Sequence, residues 1–150
     1  MNSIFVTGAT GFIGKRLVCA LDGSVKVLSR NEQLNNETIV CDFEKDPIPS
    51  YALTGVDTVF HLAGYAHDMG DENKVIDLYQ KVNVDATVQL AILAVKSGVK
   101  KFIFVSSVKA GGSPDSGVCK NENYQSDPEG IYGKSKREAE LKLLKIGDES

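Results

Sequence analysis

Ser3-Ile4-Phe5-Val6-Thr7-Gly8-Ala9-Thr10-Gly11-Phe12-Ile13-Gly14 runs from an apolar, β-rich segment straight into a G-x-x-G-x-x-G turn. That composition predicts a buried strand, and the glycine spacing predicts a tight turn opening into a helix over 12–22. Unsatisfied backbone N–H groups at a helix N-terminus make a site for a pyrophosphate. In such a site Gly8 makes the sharp turn, Gly11 lets the backbone approach the phosphates, and Gly14 lets helix and strand pack closely. Thr10, Phe12 and Ile13 complete the turn and join the candidate cofactor-binding residues. The first strand–helix junction therefore predicts a dinucleotide site.

The pattern repeats outward from this turn. Apolar runs rich in β-branched and aromatic residues recur at 25–28, 38–41, 56–62 and 101–106. Near-continuous apolar runs of this length suit strands buried on both faces of a parallel sheet. Between them, residues 72–97 place Val75, Tyr79, Val82, Ala86, Leu90 and Leu93 on one helical stripe that ends at Gly98, and 131–146 form another helix. Strand–helix alternation of this kind predicts an α/β fold, a Rossmann-type doubly wound parallel sheet in the order 3-2-1-4-5. The roughly nine residues between strands 2 and 3 are too few for a full helical crossover and predict one turn or an extended arm. Residues 107–130, with Gly111, Gly112, Pro114, Gly117, Pro128 and Gly130, predict a long functional loop.

Composition narrows the class. The chain has 150 residues, 42% hydrophobic and 25% charged, with a net charge of −3. These values fit one soluble domain and give no basic excess for nucleic acid. No apolar run approaches the ~18 residues of a membrane span, and no secretory leader pattern opens the chain. Cys19, Cys41 and Cys119 form no C-x-x-C pair. The expectation is a cytoplasmic protein with neither nucleic-acid nor membrane partners.

The strand ends carry the remaining candidates. Strand 2 ends at Ser29-Arg30, with a base where an NAD-binding chain carries a carboxylate, so charge favours NADP over NAD. Asp42 and Phe43, at the tip of strand 3, are placed to contact an adenine, and Asp42 equally suits a helix N-cap. Strand 4 ends at His61-Leu62-Ala63-Gly64, whose small residues permit close backbone approach; His61 itself reads as a satisfied core histidine. Strand 5 runs through Val105 into Ser106-Ser107, and Tyr132 and Lys136 stand one helical turn apart. An ammonium beside a phenol favours the phenolate, which suits Tyr132 as a general acid and base with Ser107 on the same substrate oxygen.

Together, Gly8-Ala-Thr-Gly11-Phe-Ile-Gly14, Asp42-Phe43, His61-Leu-Ala-Gly64, Asn83-Val-Asp-Ala-Thr87, Phe104-Val-Ser-Ser107 and Tyr132-x-x-x-Lys136 resemble the extended short-chain dehydrogenase/reductases, and within them the NAD-dependent nucleotide-sugar epimerase/dehydratase family. The resemblance implies a catalytic set of Ser107, Tyr132 and Lys136. It also implies cofactor contacts from Asp42, Leu62, Ala63, Gly64, Asn83, Val105, Tyr132 and Lys136. Val108-Lys109 stand where sugar dehydratases carry an Asp-Glu pair, which argues against dehydration. Ala110-Gly111-Gly112 replace the usual Val-Tyr-Gly, and Ile131 replaces a frequent proline. The stretch His61–His67 and the Ser-Ser-Val-Lys run resemble enzymes of bacterial surface-polysaccharide synthesis that act on UDP-sugars, as 4-epimerases or 4-keto reductases.

Three expectations complete this picture. Residues 1–150 form an NAD(P)-binding domain, the N-terminal portion of a longer enzyme, weakly active or inactive alone. The helices 72–97 and 131–146 supply a homodimer interface, as the resemblance implies. The alternatives to a sugar enzyme are a dinucleotide sensor without chemistry and an oxidoreductase acting on a non-sugar carbonyl.

Overall fold

The computed structural model describes residues 3–66, 72–112, 121 and 126–150. Pro114, Gly117 and Cys119 of the predicted loop, and His67, lie outside the described residues.

The strand β1 (Ser3–Thr7) alternates its side chains across the sheet, and both faces are covered. Ile4 and Val6 join Ala9 and Val27 in one core, against Leu17 and Val18 of helix α1 (Phe12–Ala20) and its C-cap residue Leu21. Phe5 faces the other way, into a core with Leu28, Ile39, Leu53, Val59, Leu90 and Ala94. This two-sided burial is the physical reason for the apolar runs. Strand β2 (Ser24–Ser29) pairs with β1, and β3 (Glu37–Val40) pairs with β2. Strand β4 (Thr58–His61) lies on the opposite side of β1, followed by β5 (Lys101–Phe104). All four pairings are parallel and the order is 3-2-1-4-5, as predicted. Among the described residues, β5 pairs with β4 alone.

The long helix expected over 72–97 is divided. Helix α2 (Glu72–Leu78) runs into a π-helical turn, Tyr79–Asp85, and continues as α3 (Ala86–Lys96). The widened turn carries Val82, Asn83 and Val84 inward in succession. From α3, Thr87 Oγ1 donates to the Asn83 carbonyl at 2.8 Å, a bond that competes with the helical ladder. Helix α4 (Gly130–Asp148) packs on α3, on the π turn and on a short 3₁₀ turn, Val108–Ala110. The 31–36 connection holds no helix, only a turn in which the Asn36 N–H donates to the Gln33 carbonyl at 3.3 Å.

Candidate active site

The glycines of the first turn have separate jobs. Gly8 has φ +71°, and a Cβ there would lie 2.7 Å from Ala63 N and 2.8 Å from the Leu62 carbonyl carbon. A Cβ on Gly14 would overlap the Gly8 carbonyl oxygen, so α1 rests directly on the turn. Gly11 caps α1 with no side-chain hydrogen bond, and the first turn of the helix holds no acidic residue. Its N-terminus, with Gly11, Phe12 and Ile13 exposed, is left positive and accessible.

Above this turn lies a cleft of about 400 Å³. Gly8, Thr10, Gly11, Arg30, Asp42, Phe43, Leu62, Ala63 and Gly64 line it, so three strand tips and the glycine turn converge on one cleft. Leu28, Ser29, Cys41, Glu44, Tyr65 and Val82 complete the wall. A larger cleft, about 650 Å³, lies between α3, the β5 edge and α4, away from the glycine turn.

Asp42 is committed on both sides. Its Oδ1 accepts the Glu44 N–H at 3.1 Å, and its Oδ2 pairs with Lys45 at 3.1 Å. Partial burial opposes its ionisation, but the Glu44 N–H and the Lys45 ammonium prevail and hold the carboxyl below its ordinary range. Burial, reinforced by Asp46 and Asp42, pushes the Cys41 thiol up.

Tyr132 and Lys136 both stand on α4. A Cβ on Gly133 would overlap the Lys109 carbonyl oxygen, so the first turns of α4 seat directly on the 3₁₀ turn after Ser107. Ser107 Oγ accepts the Lys109 N–H at 3.3 Å, which leaves its own proton free to donate. Lys136 is only 3% exposed; its Nζ donates to the Val105 carbonyl at 2.7 Å and sits 3.9 Å from the centre of the Phe104 ring. A Cβ on Gly64 would lie 4.0 Å from that Nζ, so the ammonium stands behind the cleft wall. Asn83 is also buried, and its side chain binds Tyr65 and Ser135 instead of lining the cleft.

A sequence model of the NAD dependent epimerase/dehydratase family matches residues 4–150. The chain belongs to that family. The UDP-glucose 4-epimerase of Vibrio cholerae is 38% identical over 159 residues, which cover 99% of this chain and 48% of that protein. An N-acetyl-alpha-D-glucosaminyl-diphospho-ditrans,octacis-undecaprenol 4-epimerase of Escherichia coli is 34% identical over 147 residues, 93% of this chain and 42% of that protein. The solved structure of MoeE5 in complex with UDP-glucose and NAD superimposes with a TM-score of 0.83 at 29% identity, covering 97% of this chain and 49% of that one. The chain thus spans about half the length of these relatives.

The site of this epimerase/dehydratase chain fits a dinucleotide by its own chemistry. An uncapped helix N-terminus faces the glycine turn, and Ser106 Oγ at the end of β5 is buried with no partner among the described residues. Among those residues, no group of three or more His, Cys, Asp and Glu side chains could hold a metal, and no helix is long and apolar enough to cross a membrane.

Burial, offset in part by Glu140, lowers Lys136 from 10.5 to about 8. Between those values the unfolded chain holds a proton that the folded chain lacks, so stability rises with pH across that window. At ~1.4 kcal/mol per unit the full gain is roughly 3 kcal/mol. Lys136→Met is expected to flatten this slope in urea denaturation series between about pH 8 and pH 10; an unchanged slope means that the ammonium is solvated. Burial, followed by the Lys136 charge, lowers His61 from 6.5 to about 3, so its contribution to stability is lost as the pH falls through that range.

Proposed function

We propose that this chain is the cofactor-binding half of an NAD(P)-dependent nucleotide-sugar epimerase or 4-keto reductase acting at C4 of a UDP-sugar. The observation that carries the reading is the placement of Lys136: buried, bonded to the tip of β5, and one helical turn from Tyr132 behind the cleft wall.

Gly8, Gly11 and the backbone of Thr10, Phe12 and Ile13 hold the pyrophosphate, Asp42 and Phe43 the adenine, and Leu62 to Gly64 the strip between. When bound, the nicotinamide accepts or returns a hydride. Tyr132 removes the proton from the sugar hydroxyl as the hydride leaves and returns it in the reverse step. Ser107, its acceptor side occupied by the Lys109 N–H, donates to the same sugar oxygen. Lys136 offers its remaining protons to the nicotinamide ribose. Asn83 supports the Gly64 wall from behind. Exposed Ile76 on α2, and Ile131 and Leu141 on α4, support a homodimer through these helices.

Arg30 lines the cleft at the end of β2 and favours a 2′-phosphate, hence NADP. Calorimetric titration with NAD and NADP tests both levels of the reading. Binding of both is expected, NADP the tighter, and Arg30→Ala removes the difference. Equal affinities for the wild-type chain overturn the preference, and absence of binding overturns the site.

A further inference from the structure

Beneath the cleft runs a buried hydrogen-bond chain centred on Thr7, His61 and Thr87, three residues the mechanism does not use. The Ala63 N–H donates to Thr7 Oγ1 at 3.1 Å, and Thr7 Oγ1 lies 2.6 Å from His61 Nδ1. On the far side of the ring, His61 Nε2 lies 2.7 Å from Thr87 Oγ1, which donates to the Asn83 carbonyl at 2.8 Å. Thr7, His61 and Thr87 are all 0% exposed. A hydroxyl has one proton, and that of Thr87 goes to Asn83. Nε2 therefore carries the imidazole proton and donates to Thr87. Nδ1 is the acceptor, and Thr7, already accepting from Ala63, donates to it. His61 is locked as one neutral tautomer.

The chain continues through Asn83. Its Oδ1 accepts the Tyr65 N–H at 2.7 Å, and its Nδ2 donates to the Tyr65 carbonyl at 3.0 Å and to Ser135 Oγ at 2.9 Å. Ser135 Oγ donates to the Tyr132 carbonyl at 2.8 Å. In parallel, the His61 ring stacks on Phe104 with centroids 5.6 Å apart, and the Lys136 ammonium lies over that same ring. Both routes start at His61 and end on the turn of α4 that bears Tyr132 and Lys136. A fully satisfied buried network of this kind has one geometry.

We propose that His61 is a positioning residue: through Thr87, Asn83 and Ser135, and through the Phe104 ring, it holds the Tyr132–Lys136 turn in register with the Ala63–Tyr65 wall of the cleft. Its consequence for catalysis rests on the reading of Tyr132 and Lys136 as the reacting pair; its geometry does not.

The test uses nuclear magnetic resonance on the whole chain. His61 ring nitrogens, assigned with His67→Gln, are expected to show a protonated Nε2, a bare Nδ1 and no charging down to about pH 5. A protonated Nδ1, or a charged ring at that pH, overturns the proposal even if no variant folds. The second readout is the titration of the Lys136 side chain. In the double variant His61→Phe/Thr87→Val, which keeps the ring and the β-branch, Lys136 is expected to titrate at least about one unit higher as its ammonium gains water. His61→Gln, which again offers one acceptor and one donor, restores most of the wild-type value. A double variant that is less stable but titrates at Lys136 like the wild type makes His61 a core residue only, and overturns the proposal. A wild-type chain with the expected tautomer and Lys136 shift that binds no NAD overturns the cofactor reading and supports this one.

Discussion

Gly8→Ala is expected to lower the free energy of unfolding by about 4 kcal/mol, a large part of the ~5–15 kcal/mol that holds a domain together. Two costs combine. A side chain at φ +71° costs ~1–2 kcal/mol, and forcing a methyl into packed backbone costs a further ~1–3 kcal/mol. The second cost is specific to this site, because the atoms in the way are Ala63 N and the Leu62 carbonyl carbon, which cannot rotate aside. Gly55 supplies the control. It has φ +72°, but nothing lies within 4 Å of its Cβ position, so Gly55→Ala carries only the conformational cost of ~1–2 kcal/mol. Urea denaturation of the two variants side by side measures the difference. Equal losses would mean that Gly8 is needed for its backbone angle alone and that the close approach of the turn to β4 has no energetic weight. The expected inequality ties the first glycine to the wall of the cleft and not only to the phosphates above it.

The distribution of such features explains what was legible in the sequence. The strand runs and the glycine turn carry their meaning locally: Ile4, Val6 and Phe5 alternate between two cores, and Gly8 and Gly14 sit where the chain touches itself within a few residues or at the next strand. The four-residue step from Tyr132 to Lys136 was equally readable, since any helix puts the two on one face. The π turn was not. Val75, Tyr79, Val82, Ala86 and Leu90 give the same stripe whether the turn at Tyr79–Asp85 is α or π, so the stripe carries no signal of the wider turn. The side-chain partners of Asn83, Tyr65 and Ser135, lie 18 and 52 residues away, beyond any local pattern. Ser135 was hidden inside the Tyr132–Lys136 motif and looked like any helical serine. The stretch between β3 and β4 buries Ile48, Ala52, Leu53 and Val56 without a regular element, so periodicity had nothing to report there.

Tyr132→Phe is expected to slow hydride transfer by about 10²–10⁴-fold, the range for losing a positioned general acid and base. The substitution removes one hydroxyl and little else. The ring stays half-buried, packed with Tyr79 at 6.1 Å between centroids, and the bond from Ser135 goes to the Tyr132 backbone carbonyl, which the variant keeps. Neither the fold nor the seat of α4 on the 3₁₀ turn depends on the lost atom, so NAD affinity should stay within about twofold of wild type. Nicotinamide absorbance in a stoichiometric mixture of chain, NAD and UDP-glucose reads the step directly. The wild-type chain is expected to reduce the cofactor in this mixture. Lys136→Met provides the contrast: it removes an ammonium that serves the cofactor ribose, so rate and NAD affinity should fall together. Equal rates for Tyr132→Phe and wild type would take Tyr132 out of the reaction. A rate loss matched by an equal loss of NAD affinity would make its hydroxyl a binding group, with the proton handled elsewhere.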